Sequence, residues 1–198
     1  MSKSLKGTNT LLNLMKSFAG ESQARNRYQI FAGVAEKEGY IQVANIFNST
    51  ADNERVHAKE FYKLIAGTLD KNTTEIVNVN AAYPVVLGDT VANLKAAAAG
   101  EHEEAEVLYT AFADEAEKEG FPEIAFKYRK IAAVEDHHEK RYTAVVQSIE
   151  SGKFYKKESA VAWKCMKCGH IHTGATPPNI CPICSHPQGY FELYVENY

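Results

Sequence analysis

Two copies of one short motif constrain the fold of this chain more than any other feature. A glutamate is followed three residues later by a histidine at Glu54/His57 and again at Glu135/His138. On an α-helix, residues three apart lie within about 60° of each other, so both side chains of a motif can reach the same metal ion. A lone pair of this kind is usually solvated, but repeated Glu-x-x-His motifs are typical of dinuclear metal sites inside four-helix bundles.

An internal duplication relates the two motifs. They lie 81 residues apart, and each follows a further glutamate, Glu21 or Glu101, which lie 80 residues apart. Burying so many ionisable groups together would be prohibitively costly without cations to neutralise them. Carboxylates can bridge two metals, and imidazole completes the ligand set without adding charge. The candidate metal-binding and catalytic residues are therefore Glu21, Glu54, His57, Glu101, Glu135 and His138.

Each copy of the duplication is predicted to form a helical hairpin. Gly39 and Gly120 stand where the first helix of each hairpin would end, and the second helices are predicted at about Ile41–Ala66 and Pro122–Ser148. The stretch between the hairpins is rich in glycine, asparagine and proline, so it cannot be one helix. We interpret it as a long crossover that makes helices two and three parallel. The sequence thus predicts an all-α, ferritin-like four-helix bundle over residues 1–150.

The second copy contains one residue more than the first. The extra residue lies between residues 101 and 105, and in a regular helix it would rotate Tyr109 by about 80° relative to its counterpart Tyr28. A single π-type turn would absorb that rotation and would direct Glu104 toward the metals, where the first copy has Gln23. The alternative is a tolerated insertion that leaves Glu104 exposed.

The two tyrosines, Tyr28 and Tyr109, also allow two interpretations. A tyrosine on an apolar helix face is most often a core aromatic residue. Beside a buried carboxylate cluster, its hydroxyl could instead hydrogen-bond a metal ligand and fix the orientation of that ligand. His102 and His137 are interpreted either as surface residues or as residues that support the ligands without binding metal.

A cysteine module follows a linker at residues 151–159 and occupies residues 160–198. A module of about forty residues usually needs a metal or disulfides to fold alone. Two Cys-x-x-Cys knuckles supply four thiolates, which suit one tetrahedral iron or zinc. Trp163, Tyr190 and Phe191 are expected to form its small core. The four ligands are Cys165, Cys168, Cys181 and Cys184.

Composition limits the partners and the compartment. The formal net charge is -3, with acidic and basic residues interspersed, so no basic surface for nucleic acid is expected. No apolar run approaches the roughly twenty residues of a membrane span, and the first residues lack the apolar core of a signal peptide. We therefore expect a cytoplasmic protein with reduced thiols, in which the cysteines bind metal.

The chain resembles the rubrerythrins, in which a ferritin-like di-iron domain is fused to a rubredoxin-like domain. The resemblance covers essentially the whole length and is carried by four segments and both knuckles. It implies two irons in the bundle, with Glu104 as an additional ligand, Glu54 and Glu135 as bridges, and His57 exchanging with Glu104 as the oxidation state changes. Ser185 and His186 replace the glycine usual after the last cysteine of a free-standing rubredoxin. The segments are residues 20–28, 54–57, 99–104 and 135–141.

The same resemblance implies a peroxidase that protects against oxidative stress. Hydrogen peroxide would be reduced to water with electrons relayed through one iron in the four-cysteine site, where zinc is a possible substitute. The electrons would come from an NAD(P)H-dependent reductase or free rubredoxin. A homodimer with electron transfer between subunits is also implied. Two alternatives remain: a ferroxidase or iron-storage bundle using dioxygen, and a non-enzymatic scaffold with zinc in the cysteine site.

Overall fold

Four long helices, the third built from three segments, form the larger part of the protein. The computed structural model describes residues 4–68 and 74–196. The third bundle helix is continuous through a π-helical segment at Glu103–Leu108. The four-helix bundle predicted from the duplication is confirmed. The α-helices are α1 (Asn9–Lys37), α2 (Ile41–Ala66), α3 (Thr90–His102), α4 (Tyr109–Lys118) and α5 (Pro122–Glu150).

The hairpin turns follow the predicted sequence signals. Gly39 and Gly120 have φ angles of +82° and +76°, the left-handed region that glycine adopts without a steric penalty. Pro122 begins α5, where its missing N–H is not needed. The bounds of α2 are as predicted, and α5 extends two residues beyond the predicted end, to Glu150.

The crossover returns the chain to the end of the bundle at which α2 begins. Residues 69–73 lie outside the described residues, and residues 74–89 contain neither helix nor strand. Asp89 caps α3 by accepting a hydrogen bond from the backbone N–H of Ala92. The backbone N–H of Thr90 donates to Glu38 Oε2 at 3.0 Å, next to the turn that leads into α2. Helices α2 and α3 therefore run parallel, as predicted.

The bundle core consists of two apolar clusters that repeat the same aromatic arrangement. In each cluster, two aromatic residues of one copy pack against one aromatic residue of the other copy, with ring centroids 5.1–6.1 Å apart. The residues at corresponding positions are 81 apart in sequence. The duplication therefore persists in the packing as well as in the ligands. The triplets are Tyr28, Phe47 and Tyr142 in one cluster and Tyr109, Tyr128 and Phe61 in the other.

A three-stranded antiparallel sheet forms the C-terminal domain. Its strands are β1 (Val161–Cys165), β2 (Ile171–Gly174) and β3 (Phe191–Leu193), in the order β2-β1-β3. A 3₁₀ turn at Gln188–Tyr190 precedes β3. Trp163 is buried, and its Nε1–H donates to the carbonyl oxygen of Gly174 at 3.0 Å. The predicted core is confirmed, since Trp163 and Phe191 pack with Cys165 and Cys181 and Tyr190 lies against them.

The linker and the C-terminal domain both contact the bundle at the α1–α2 turn. Tyr40 packs against the rings of Phe154 and Tyr155, with centroids 5.8 and 6.3 Å away. The backbones of Gly39 and Gly189 come so close that a Cβ on Gly189 would lie 1.9 Å from the carbonyl oxygen of Gly39. Among the described residues, no helix is both long and apolar enough to cross a membrane.

Candidate metal centres

Six acidic and imidazole side chains meet in the middle of the bundle. They come from α1, α2, α3 and α5, and all are buried except His57, whose side chain is 12% exposed. They form two groups of four whose ligand atoms lie within 4.8 Å of one another. Glu54 and Glu135 belong to both groups, which is the position that a bridging carboxylate needs. One group is Glu21, Glu54, His57 and Glu135, and the other is Glu54, Glu101, Glu135 and His138.

The cluster contains polar atoms that protein partners do not satisfy. The Nδ1 of His138 lies 2.9 Å from Glu135 Oε2, yet neither atom has a partner in hydrogen-bonding geometry. One oxygen each of Glu21, Glu54 and Glu101 is likewise buried without a hydrogen bond. Unsatisfied buried polar atoms cost free energy, and here they all face one another. A set of carboxylate oxygens and imidazole nitrogens facing one another suits hard or borderline cations such as iron.

Burial and crowding shift the protonation of the cluster. Burial raises the pKa of Glu21 well above its usual range, and the charges of neighbouring carboxylates raise it further. Burial also raises the pKa of Glu101 to about 7. Burial lowers the pKa of His57, but contacts with Glu135 and Glu54 outweigh this and raise it to about 10. In the metal-free protein, protons therefore supply the positive charge that bound cations replace, so metal loading releases protons.

The π-helical segment brings Glu104 to the edge of the cluster. The backbone N–H of Tyr109 bonds to the carbonyl oxygen of Glu104, five residues back. The predicted π turn is confirmed, although it spans Glu103–Leu108 and so begins and ends later than expected. Glu104 is half-buried and belongs to neither group of four. Burial and the charges of Glu101, Glu135 and Glu54 raise its pKa well above the usual range.

A cavity of about 350 Å³ borders Glu104, and none of the six clustered side chains lines it. Crossover residue Tyr83 contributes one wall, and its hydroxyl donates to the carbonyl oxygen of Lys16 at 3.0 Å. Arg27 contributes another wall and donates to Gln23 Oε1 at 3.0 Å. Gly20 and Gly100 also line the cavity, where side chains would reduce its volume.

Both candidate tyrosines are fully buried and contact the cluster. The hydroxyl of Tyr28 donates to Glu101 Oε1 at 2.6 Å, and the hydroxyl of Tyr109 donates to Glu21 Oε1 at 2.5 Å. Each tyrosine thus contacts the upstream glutamate of the other copy. That these bonds orient metal ligands remains a prediction.

Two residues of this region were absent from the sequence prediction. Asn53 Oδ1 lies 3.2 Å from His138 Nε2, and Tyr83 covers the cavity. The sequence pattern of α2 does not mark Asn53, because its partner His138 lies on α5. No sequence signal marks Tyr83, which lies in the irregular crossover. His102 and His137 are exposed, in agreement with the prediction.

The four cysteine sulfurs form a second centre. Cys165 Sγ lies 3.7 Å from Cys184 Sγ, and Cys168 Sγ lies 3.6 Å from Cys181 Sγ. Metal–sulfur bonds of about 2.3 Å in a tetrahedron give sulfur–sulfur edges of roughly 3.8 Å. The four thiols are free, and their spacing suits one tetrahedral metal ion.

The second cysteine knuckle closes through a non-glycine residue in a left-handed conformation. Gly169 follows the first knuckle with φ of +79°, and Ser185 follows the second with φ of +59°. Burial raises the pKa of the Cys181 thiol, but hydrogen bonds from the backbone N–H groups of Cys184 and Ile183 outweigh it and lower the pKa to about 7. The backbone of this knuckle thus stabilises a thiolate, the form that binds metal.

Comparison with known proteins gives the same two-part division. Residues 13–146 match the family model described as rubrerythrin, and residues 163–192 match the model described as rubrerythrin, rubredoxin-like domain. Rubrerythrin-1 of Clostridium acetobutylicum is 56% identical, over 99% of this chain and 100% of the relative. The rubrerythrin of Nitratidesulfovibrio vulgaris is 46% identical, over 96% of this chain and 97% of the relative.

Solved structures agree with this relationship. A mixed-valent state of nigerythrin superposes with a TM-score of 0.62 at 31% identity, over 98% of this chain and 91% of that one. A bacterioferritin of Desulfovibrio desulfuricans matches with a TM-score of 0.64 at 20% identity, over 73% of this chain and 81% of that one, a likeness of fold alone. The carboxylate–histidine cluster is thus a ferritin-like di-iron site, and the four cysteines form a rubredoxin-like site.

Proposed function

The chain belongs to the rubrerythrin family, and we propose that it is a peroxidase that reduces hydrogen peroxide to water. The observation that carries this proposal is the presence, in one chain, of a buried dinuclear cluster and a four-cysteine site. Reduction of peroxide consumes two electrons and two protons and yields two waters. The carboxylates and histidines of the cluster would hold two irons able to supply both electrons, and the four cysteines would hold one iron able to return electrons singly.

Within this proposal, each side chain of the cluster has a distinct role. Glu54 and Glu135 would hold both metals, because each belongs to both groups of four ligands. Glu21 and His57 complete one position, and Glu101 and His138 complete the other. Glu104 lies beside the cluster without joining either group, which suits a ligand that enters only in one oxidation state, in exchange for His57.

The cavity beside Glu104 is the proposed route of peroxide to the cluster. Its volume of about 350 Å³ is ample for so small a substrate, and Glu104 lies on its wall. Arg27 provides hydrogen-bond donors along this wall, and the Tyr83 hydroxyl oxygen can accept a hydrogen bond, while Gly20 and Gly100 keep the cavity open. Entry from this side brings peroxide first to Glu104.

Electrons would enter through the rubredoxin-like domain. We propose an NAD(P)H-dependent reductase or free rubredoxin as the donor, a cytoplasmic location and a role in protection against oxidative stress. We also propose a homodimer in which the rubredoxin-like domain of one subunit supplies the di-iron site of the other. The backbone N–H groups that stabilise the Cys181 thiolate support an iron site able to cycle between oxidation states.

Anaerobic single turnover tests the proposal. The iron-loaded protein is reduced, one equivalent of peroxide is added per di-iron site, and iron oxidation is followed by absorbance. Glu54→Ala and Glu135→Ala should abolish fast oxidation, whereas Glu106→Ala, which removes an exposed glutamate from the same bundle, should leave it unchanged. Unchanged oxidation in both cluster variants would contradict the assignment of the site.

Two further measurements separate this function from the ferroxidase alternative. A peroxidase should be oxidised faster by peroxide than by dioxygen. In Cys165→Ser, single turnover with peroxide should persist while turnover coupled to a reductase is lost. A protein that reacts faster with dioxygen and is indifferent to Cys165→Ser would be a ferroxidase instead.

A further inference from the structure

The two histidines of the cluster are held in different ways. His138 has its Nδ1 in the cluster, and its Nε2 lies 3.2 Å from the amide oxygen of Asn53. His57 also has its Nδ1 in the cluster, but no described residue hydrogen-bonds its Nε2. The side chain of His57 is 12% exposed, against 2% for His138. Each histidine thus makes one hydrogen bond: His138 makes it outward, from Nε2 to Asn53, and His57 makes it within the cluster, from Nδ1 to Glu54. Only His138 is held at the nitrogen that faces away from the cluster.

A single difference between the two copies accounts for this. Asn53 immediately precedes Glu54 on α2, and Val134 immediately precedes Glu135 on α5, so the two are equivalent in the duplication. Asn53 reaches across to the histidine of the other motif. Valine has no polar atom with which to make the reciprocal contact. Val134 is 37% exposed, so close packing does not require an apolar side chain at this position.

A hydrogen bond to the outer nitrogen of a metal-ligating histidine fixes both tautomer and orientation. With the Asn53 amide oxygen facing the ring, Nε2 carries the proton and Nδ1 keeps its lone pair for a metal. The bond also restrains ring rotation. His57 lacks this restraint, so its ring can leave the cluster without breaking a hydrogen bond at Nε2.

The spare carboxylate of Glu104 comes close to α1, the helix that supplies Glu21. Glu104 Oε1 is 3.7 Å from the position that a Cβ on Gly20 would occupy. The next residue, Glu21, belongs to the group of four that contains His57. Glu104 therefore approaches the helix that supplies Glu21, while on its own helix it follows Glu101, which belongs to the group that contains His138.

We propose that Asn53 is a positioning residue that holds His138 as the permanent histidine ligand, and that Val134 leaves His57 as the exchangeable one. The inference rests on the proposed function and deepens it, because it explains why exchange with Glu104 falls on His57. The asymmetry is a property of residues 53 and 134 and should be transferable between the two copies by substitution.

Three variants test the proposal in the full chain. Asn53→Val removes the hydrogen bond between residue 53 and His138 Nε2, which we call the tether. Val134→Asn offers an equivalent tether to His57, and the double variant Asn53→Val/Val134→Asn exchanges the two arrangements. Asn53→Asp keeps an acceptor oxygen and should behave like the wild type. Asn48→Val, at an exposed position of the same helix, controls for the loss of helix propensity.

Histidine NMR of the zinc-loaded protein reads the tether without any turnover. In the wild type, the Nε2–H proton of His138 should exchange slowly with solvent and that of His57 quickly. Asn53→Val should abolish the protection of His138, Val134→Asn should create it at His57, and the double variant should exchange the two. Zinc affinity should fall roughly 10- to 100-fold in Asn53→Val and be retained in Asn53→Asp. Equal protection of both histidines in the wild type would overturn the proposal.

Crystal structures of the iron-loaded protein in reduced and oxidised states test the consequence. Val134→Asn should keep His57 in the cluster in both states, and the double variant should make His138 the histidine that moves. An unaltered exchange in the double variant would refute the inference. The two readouts separate the two hypotheses. A protein that shows the expected NMR pattern but no peroxide turnover contradicts only the proposed peroxidase function. A protein with normal turnover whose NMR pattern does not change in the variants contradicts only the proposed role of Asn53.

Discussion

Tyr28 and Tyr109 make the same contact in opposite directions across the duplication. Each is fully buried, and each donates its hydroxyl to a glutamate of the other copy, Glu101 or Glu21. A buried carboxylate oxygen needs such a donor, because burial without one costs the full desolvation of the group. We expect the tyrosines to restrain the carboxylates, as we propose that Asn53 restrains His138.

Replacement of Tyr28 tests the strength of this contact. Tyr28→Phe keeps the ring and leaves Glu101 Oε1 without its donor, so the free energy of unfolding of the zinc-loaded protein should fall by about 1–3 kcal/mol. Tyr62→Phe is the matched control, since Tyr62 is 53% exposed and should change the value by less than about 0.5 kcal/mol. Denaturant unfolding followed by circular dichroism measures both. Equal effects of the two substitutions would show that the hydroxyl–carboxylate bond contributes nothing.

At the same scale, the sequence predicted the side chains of the metal cluster. It did not predict all of the residues that contact them. The spacing of Glu54 and His57 fixes a helix face, and the duplication supplies the partner face, so the cluster follows from helical geometry alone. Asn53 was missed because its partner, His138, lies on another helix. Helical periodicity does not predict which side chains of two different helices come into contact. Tyr83 was missed because the crossover has no periodicity at all.

The third bundle helix shows how one inserted residue is accommodated at the scale of an element. The residue count requires extra rotation after Glu101, and the structure distributes it over the six residues Glu103–Leu108. A π turn needs hydrogen bonds between residues five apart, so one inserted residue affects a longer segment than the one in which it lies. Counting residues predicts that a bulge exists, whereas its position depends on packing. Here the packing keeps Tyr109 within hydrogen-bonding distance of Glu21.

Deletion of Glu103 should convert the bulge to regular α-helix. Glu104 would then occupy the position equivalent to Gln23 and leave the edge of the cluster. Because a half-buried carboxyl group whose pKa is raised by burial and by neighbouring carboxylates would be removed, the metal-free protein should gain about 1 kcal/mol in free energy of unfolding. Peroxide turnover should fall by at least roughly tenfold.

Glu104→Gln is the control for this deletion, since it keeps the residue count and removes only the charge. If the bulge itself matters only for placing Glu104, both variants should lose turnover to a similar extent. A deletion variant with undiminished turnover would contradict a role for the π-helical segment. Denaturant titration and single turnover with peroxide measure the two effects separately.

At the scale of the whole molecule, the sequence predicted two modules and a linker but not how they pack. Gly39 was predicted from its role in ending α1, and its φ of +82° agrees. Gly39 has a second role, because its backbone packs closely against the backbone of Gly189. The local sequence does not predict this contact, since the two residues are 150 apart in the chain. Long-range contacts of this kind require the tertiary fold to be known.

Gly189→Ala tests whether this contact holds the two domains together. The added Cβ would lie 1.9 Å from the carbonyl oxygen of Gly39, a distance no structure tolerates, so the domains must separate locally. The stacking of Tyr40 on Tyr155 beside this contact should loosen with it. The four cysteines lie on other segments, so the iron-loaded protein should keep its visible thiolate absorption.

The expected signature is a larger radius of gyration in small-angle X-ray scattering and faster proteolysis within residues 151–159. Gly33→Ala is the matched control, because a Cβ at that position meets no atom within 4 Å and should leave both measurements unchanged. If Gly189→Ala scatters and resists protease like the wild type, the domains do not depend on this contact. Loss of reductase-coupled turnover with intact single turnover would further show that docking positions the rubredoxin-like domain for electron transfer.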